Sequence, residues 1–284
     1  MANLKDIRNR IKSVQSIQQV TNAMKMVAAA KMRRSQERME NARPYANRLQ
    51  NLIQDLLPDV DRSSLDLLNA REVKRIAYVI VTSDKGLAGS FNTNIIKIAQ
   101  ADIDEFGKDN VDLFCIGKKA GDHFKRRHYN IIEGHVNFWN ELSYDHAIKF
   151  GNGIISHFLS GKVDEVRVIY NYFKNVAVQE LSVEKLLPLT FDKQQKSNID
   201  RIYEPSKEEL VKSLIPRHLN IQVWKYLLES YASEQAARMV AMENATKNAG
   251  EMIRDLKLEF NKARQASITT EMLEIVGGAE ALTS

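Results

Sequence analysis

The stretch NLKDIRNRIKSVQSIQQVTNAMKMVAAAKMRRSQERMENARPYANRLQNLIQDLL, residues 3–57, decides the fold. It contains no glycine and a single proline, Pro44. Its apolar residues recur in alternating steps of three and four. The positions are Leu4, Ile7, Ile11, Val14, Gln18, Thr21, Lys25, Ala28, Met32, Ser35, Met39, Ala42, Ala46, Leu49, Ile53 and Leu56, and twelve of the sixteen are apolar. A seam this narrow predicts a long helix that needs a second helix to cover it. At a rise of 1.5 Å per residue the segment would extend about 80 Å. Pro44 lacks a backbone N–H and is a candidate bend, and Leu57-Pro58-Asp59 gives a stop.

The other end of the chain carries a matching pattern. After Pro216 the reading predicts a helix to Val276, stopped by Gly277-Gly278. Its seam is read as Ile221, Trp224, Leu228, Tyr231, Gln235, Arg238, Met242, Ala245, Ala249, Met252, Leu256, Glu259, Ala263, Ala266, Thr270 and Leu273, again with twelve of sixteen apolar. Residues 206–215, with Glu208 and Glu209 in a first turn, read as a separate or kinked helical piece. Two open seams of similar length on one chain predict that they close on each other. An insertion of about 150 residues between them needs no crossover if the helices run antiparallel.

Within that insertion the period changes. Residues 75–82, 111–116 and 166–170 are continuous apolar runs of the kind expected for buried strands. Helical stretches at about 89–106, 118–127 and 143–159 separate them, which predicts a parallel sheet covered on both faces. After the third strand, Lys174-Asn175 can turn the chain into an antiparallel edge strand over 177–186. The polar segment 192–200 reads as a linker or loop tip. The predicted organisation is an N-terminal coiled-coil helix (1–57), a Rossmann-like α/β domain of mostly parallel sheet (73–190) and a C-terminal coiled-coil helix (206–284).

Apolar residues are 44% of the chain and charged residues 27%, which suits a folded protein. The lone Cys115 excludes a disulfide framework within the chain, and no apolar run is long enough to span a bilayer. The net charge of +5 is unevenly spread: residues 1–50 hold 11 Lys and Arg against 3 acids, or +8, so the remainder is −3. Such a bias suits an acidic or phosphate-bearing partner. Single-strand nucleic-acid binders interleave stacking aromatics with positive charge, and here none precedes Tyr45.

Motifs for catalysis are missing. The loop Thr82-Ser83-Asp84-Lys85-Gly86-Leu87-Ala88-Gly89-Ser90 sits between a strand and a helix, where phosphate-cradling loops occur. However, Lys85 precedes both glycines, so neither the Walker pattern nor the three-glycine dinucleotide pattern is met. A tight strand-to-helix turn explains the glycines. No His-Glu-x-x-His pair, second cysteine or Gly-x-Ser-x-Gly elbow occurs, so no cofactor or metal is expected. The small and thioether residues on the two helices, Met24, Met26, Ala28–Ala30 and Met32 against Ala236, Ala237, Met239, Ala241, Met242 and Ala245, fit two readings. They are a plain coiled-coil core, or an adaptable outward surface against a moving partner.

Four stretches carry a family resemblance: Ile7–Val14 with Thr21–Arg33, the loop Thr82–Asn92, the run Ser233–Met242, and Ala263–Ala279. In order and over the whole chain they resemble gamma subunits of bacterial F-type ATP synthase. The resemblance implies a non-catalytic rotor in the central stalk of the F1 sector. Its coiled coil would pass through a ring of three alpha and three beta subunits, with its globular end on epsilon and the membrane-embedded c-ring. It implies one copy per complex, no nucleic acid, and a peripheral place on the cytoplasmic face of the inner membrane, touching the membrane only through the complex. At matching positions, Met24, Lys25, Arg264, Gln265 and Thr269 would face the levers and catch loops of beta. Tyr203 and Glu204 would lie at the foot toward epsilon and the c-ring. The apolar end from Ile268 to Leu282 would be a tip turning in a sleeve. The cysteine pair of the chloroplast branch is absent. A nucleotide-binding α/β enzyme with helical arms and a basic coiled-coil scaffold are the competing readings.

Overall fold

The computed structural model describes residues 4–61, 64–191, 203–204 and 206–283, the last four of these as backbone. The predicted segment 192–200 lies outside the described residues. Helix α1 spans Leu4–Leu56 and helix α5 spans Lys207–Thr283. Between them run β1 (Ile76–Val81), α2 (Phe91–Phe106), β2 (Val111–Ile116), α3 (Lys118–Lys125), β3 (Ile131–His135), α4 (Tyr144–Leu159), β4 (Glu165–Phe173) and β5 (Gln179–Leu187). Compactness divides the chain into a helical unit, Met1–Ala28 with Met239–Ser284, and a globular unit, Ala29–Arg238.

In the globular unit one five-stranded sheet has the order β3-β2-β1-β4-β5. All pairings are parallel except β4 with β5. Every residue of β1 and β2 is buried, because helices cover both faces. The side chains alternate accordingly. Ile76, Tyr78 and Ile80 join the core beneath α2 and α3, while Ala77, Val79 and Val81 join the core beneath α4, α1 and α5. The edge strand β3 was not expected from the sequence. Ile131-Ile132-Glu133-Gly134-His135 is short and alternates between half-buried and exposed, so it gives no continuous apolar run.

The second core absorbs long parts of both end helices. Leu49, Ile53 and Leu56 of α1 are at most 5% exposed, and of the residues from Leu219 to Ala236 only Lys225 is exposed. Here α5 is a core helix buried nearly all round. The expected break before Pro216 does not occur: α5 runs through it unbroken. Val211, Ile215 and Leu219, one turn apart, are all buried in one core. Their burial outweighs the cost of an interior proline, about 3 kcal/mol. Nor do Gly277 and Gly278 end the helix, which continues to Thr283; glycine permits a left-handed stop without requiring one.

In the helical unit the two helices run antiparallel. Thr21 Oγ1 lies 2.8 Å from Thr246 Oγ1, Lys25 Nζ lies 3.4 Å from Glu243 Oε1, and the Arg8 guanidinium sits 5.5 Å from the Phe260 ring centre. The paired numbers fall along α5 as they rise along α1. Ile7, Val14, Ala249, Ile253 and Leu256 form the buried seam, joined by half-buried Ile11, Phe260 and Ala263. All sixteen seam residues read for α1 are buried or half-buried. For α5 the reading needs correction: Met252, Glu259, Ala266, Thr270 and Leu273 are exposed, and Ile253, Phe260 and Ser267, each one residue past an exposed position, take the buried or half-buried places. A helix of 3.6 residues per turn drifts past a strict seven-residue repeat, so over several heptads the packed position slips forward by one residue.

Candidate interaction surfaces

The first candidate is the loop after β1. In a doubly wound sheet, ligands bind outside the strand ends where the strand order reverses, here between β1 and β4. In this molecule that place is filled from within. Ser83 N–H donates to Asn92 Oδ1 at 3.0 Å, and Ala120 N–H donates to Thr82 Oγ1 at 3.0 Å. Asp84 accepts from the backbone of Lys118 at 2.8 Å and of Asn137 at 2.7 Å, so its own carboxylate occupies the N-terminus of α3. From α5, Arg238 donates to the Gly86 carbonyl at 3.1 Å while paired with Glu234 at 2.6 Å, and Ser233 donates to the Asn171 carbonyl at 3.2 Å. Leu87 and Gly89 hold the turn at φ of 63° and 56°. The N–H groups of Ser83, Lys118, Lys119 and Ala120 are engaged within the chain, and the loop works as a latch holding α5 against the sheet.

The second candidate is the set of implied contact residues. Met24 and Lys25 are half-buried on α1, and Lys25 is turned toward Glu243 of α5. Arg264, Gln265 and Thr269 are exposed, with the Thr269 hydroxyl donating to the Gln265 carbonyl at 2.9 Å. Because Lys25 lies level with Glu243, Arg264 stands some twenty residues further along α5, or about 30 Å. The structure thus separates these residues into two patches. Tyr203 is half-buried in the globular unit with Lys207 Nζ 5.3 Å from its ring centre, and Glu204 is exposed.

Around these patches lies apolar surface that none of the described residues covers. On α1, Ile17, Val20, Met26 and Val27 are 54–60% exposed, and on α5, Met272, Leu273, Ile275 and Val276 are 61–71% exposed. Clustered large side chains this exposed are a common feature of interaction surfaces. The heptad reading concentrated on the inward face and passed over Ile17, Val20 and Val27. Their signal was available, as apolar residues that belong to no seam position. From 265 to 279 the charged residues are Glu271 and Glu274, whereas exposed Arg8, Arg10, Lys12, Arg33 and Arg34 stud α1.

The titratable groups of the globular unit serve packing. Burial raises the Asp112 carboxyl, but hydrogen bonds from His157 and Asn130 and the charge of Arg75 more than offset this and hold it below its ordinary value. Burial pushes the Cys115 thiol up to about 12, which leaves it unreactive. Burial lowers His218 to about 4, with its Nδ1 lacking a hydrogen-bond partner among the described residues. Among the described residues no group of His, Cys, Asp and Glu could hold a metal ion, and no helix is long and apolar enough to cross a membrane.

Comparison with known proteins gives these features a family. A family model described as ATP synthase matches residues 3–282. The ATP synthase gamma chains of Prosthecochloris aestuarii, Chloroherpeton thalassium and Cytophaga hutchinsonii are 50%, 48% and 48% identical, covering 99%, 99% and 100% of this chain and the same shares of their own. Among solved structures, a chain of the Tetrahymena thermophila mitochondrial ATP synthase central stalk and c-ring is 28% identical. It superposes with a TM-score of 0.63 over 80% of this chain and 99% of its own. A chain of the Euglena gracilis mitochondrial enzyme, 22% identical, shares the fold with a TM-score of 0.70 over 98% and 94%. The long end helices flanking a mostly parallel sheet are the fold those structures share, and the chain belongs to the ATP synthase gamma chain family.

Proposed function

We propose that this chain is the rotating shaft of a bacterial F1Fo ATP synthase, making and breaking no bond itself. One copy would stand in a ring of three alpha and three beta subunits. Its globular unit would rest on epsilon and the c-ring at the cytoplasmic face of the inner membrane. Ion flow through the c-ring would turn it. Three identical beta subunits would then meet three different sides of one asymmetric shaft, and differential contact is what can bias three sites into three states.

The observation that carries this reading is the uncovered apolar surface of the helical unit, where Met272, Leu273, Ile275 and Val276 are 61–71% exposed on a stretch with few charges. An apolar sleeve can cover such a tip without the directional bonds that would lock it at one angle. The basic face of α1 and the exposed Arg264, Gln265 and Thr269 suit contact with acidic levers and polar catch loops of beta. Met24 and Lys25 form the second contact patch, and Tyr203 and Glu204 face epsilon and the c-ring. The test is to mix the chain with alpha and beta subunits of its organism. A 3:3:1 complex with ATPase activity is expected, and absence of any such complex under every nucleotide condition would end the rotor reading.

A further inference from the structure

The sheet of the globular unit ends at β3, and the outer side of that strand is open. Gly117 N–H donates to the His135 carbonyl at 2.8 Å, so the backbone of His135 faces β2. Successive residues of a strand turn their backbone groups to opposite sides. Gly134 therefore presents its N–H and C=O outward, and neither has a hydrogen-bond partner among the described residues. A Cβ added at Gly134 would meet nothing within 4 Å. Ile132 and Val136, on either side of it, are 39% and 47% exposed. Strand edges that stay single are commonly guarded by an outward charge. β3 carries none at these three positions, and its one acid, Glu133, is paired with His135 at 2.9 Å.

Beside that edge runs an open groove of about 840 Å³ between α3 and β3. Lys118, Gly121 and Lys125 line it from the helix, and Ile131, Gly134 and Val136 from the strand side. An extended chain lying there can pair with the strand and touch the helix at once. The charge selects its composition. From 118 to 128, Lys118, Lys119, Lys125, Arg126 and Arg127 stand against a single acid, Asp122, which also lines the groove. Lys108 adds a cation 4.6 Å from the ring centre of Tyr129, another lining residue. A nucleic acid would suit these cations but leave the backbone edge of Gly134 unpaired. We propose that β3 and α3 form a docking site for an acidic, extended segment of a partner protein, which joins the sheet as a sixth strand beyond β3. Its main chain would pair with the outward groups of β3, and its carboxylates would reach Lys118 and Lys125. Those lysines lie two helical turns, about 10.5 Å, apart, and alternate residues of a strand are about 6.6 Å apart, so two acids at alternate positions fit between them. The inference stands whether or not the chain turns as a rotor.

The probe is the fluorescein-labelled acidic peptide TEVEVET-amide. One control is TKVKVKT-amide, with the charge reversed. The other is the acidic peptide N-methylated at its central amides, which keeps the carboxylates but cannot donate to a strand. With the full chain at low salt the acidic probe is expected to show saturable anisotropy, binding about tenfold more tightly than either control. Binding should slow deuterium uptake in residues 131–136 and leave that of β5 unchanged. Lys118→Glu combined with Lys125→Glu, both at exposed positions, should reverse the preference between acidic and basic peptides without changing the melting temperature. Absence of saturable binding, equal affinity for the basic peptide, or no protection of residues 131–136 overturns the proposal. Full affinity for the N-methylated peptide overturns it too, because charge attraction alone, as in a nucleic-acid site, would then suffice. Should the double variant not fold, the three peptides and the exchange pattern of the unsubstituted chain still decide it.

Discussion

The two units of this chain are stabilised in opposite ways. In the globular unit every residue of β1 and β2 is buried, and a helix such as the middle of α5 is enclosed on nearly all sides. In the helical unit a single seam is buried, the part-buried Thr21–Thr246 hydroxyl pair lies in it, the Lys25–Glu243 ion pair is open to solvent, and large apolar residues point outward. A single hydroxyl hydrogen bond contributes about 1 kcal/mol and a solvent-exposed ion pair typically less. The globular unit therefore holds its shape through its own core. The helical unit leaves much of its apolar surface for another molecule to cover, and covering it would raise its stability.

The sharpest way to break the globular side of the contrast is at Gly117, between β2 and α3. Its φ is +96°, and a Cβ there would lie 2.0 Å from the Thr82 carbonyl oxygen. Backbone on both sides leaves nothing flexible to yield. Gly117→Ala should cost about 3–5 kcal/mol from dihedral strain and overpacking together. It should displace the latch loop and lower the melting temperature of the globular unit. A melting temperature within a degree of wild type would mean that the β2–α3 turn is not fixed as described.

The sequence disclosed the two units unequally, for the same physical reason. In the core, burial on both faces writes continuous apolar runs, so β1, β2, β4 and the helices between them were legible within a few residues. β3 was not, because an edge strand relies on pairing with β2 more than on its own composition. The proline in α5 misled because tertiary burial of Val211, Ile215 and Leu219 overrides a local penalty. The candidate surfaces were legible only through resemblance. An outward residue obeys the partner that covers it, and that partner's shape is not written in this chain.

A smaller effect separates the units by pH. His218 is 4% exposed against Phe191 in the globular core, and its folded value of about 4 lies below the ordinary 6.5. Between these values the unfolded chain binds a proton that the folded chain refuses, so stability falls as pH drops from about 6.5 toward about 4. Glu229, raised to about 7, works the other way and favours the folded state on acidification over part of that range. Comparing His218→Leu with wild type isolates the first effect. The variant should lose about 2 kcal/mol less than wild type between pH 7 and pH 5, measured by denaturant unfolding of the globular unit. Identical losses would show that His218 takes up its proton in the fold as readily as in the unfolded chain.

The smallest effect tests which face of α5 the helical unit uses. A strict alternation of three and four steps assigns the seam to Met252, whereas the structure buries Ile253 at 8% exposure and leaves Met252 at 50%. These neighbours lie about 100° apart around the helix, so only one can face α1. Ile253 packs with Val14 and Ala249 in a seam two helices wide, where a truncated side chain loses contacts on one side only. Ile253→Ala should therefore cost about 1–2 kcal/mol, below the usual range for a fully enclosed isoleucine. Met252→Ala, on the outward face, should change stability by less than about 0.5 kcal/mol. Loss of helical circular dichroism on heating the two variants measures both. A larger cost for Met252→Ala would rotate the helix by one residue and move Arg264, Gln265 and Thr269 with it. The same pair, repeated with the alpha and beta subunits present, separates the two faces again: an outward side chain that touches a partner changes complex stability while leaving the free chain as it was.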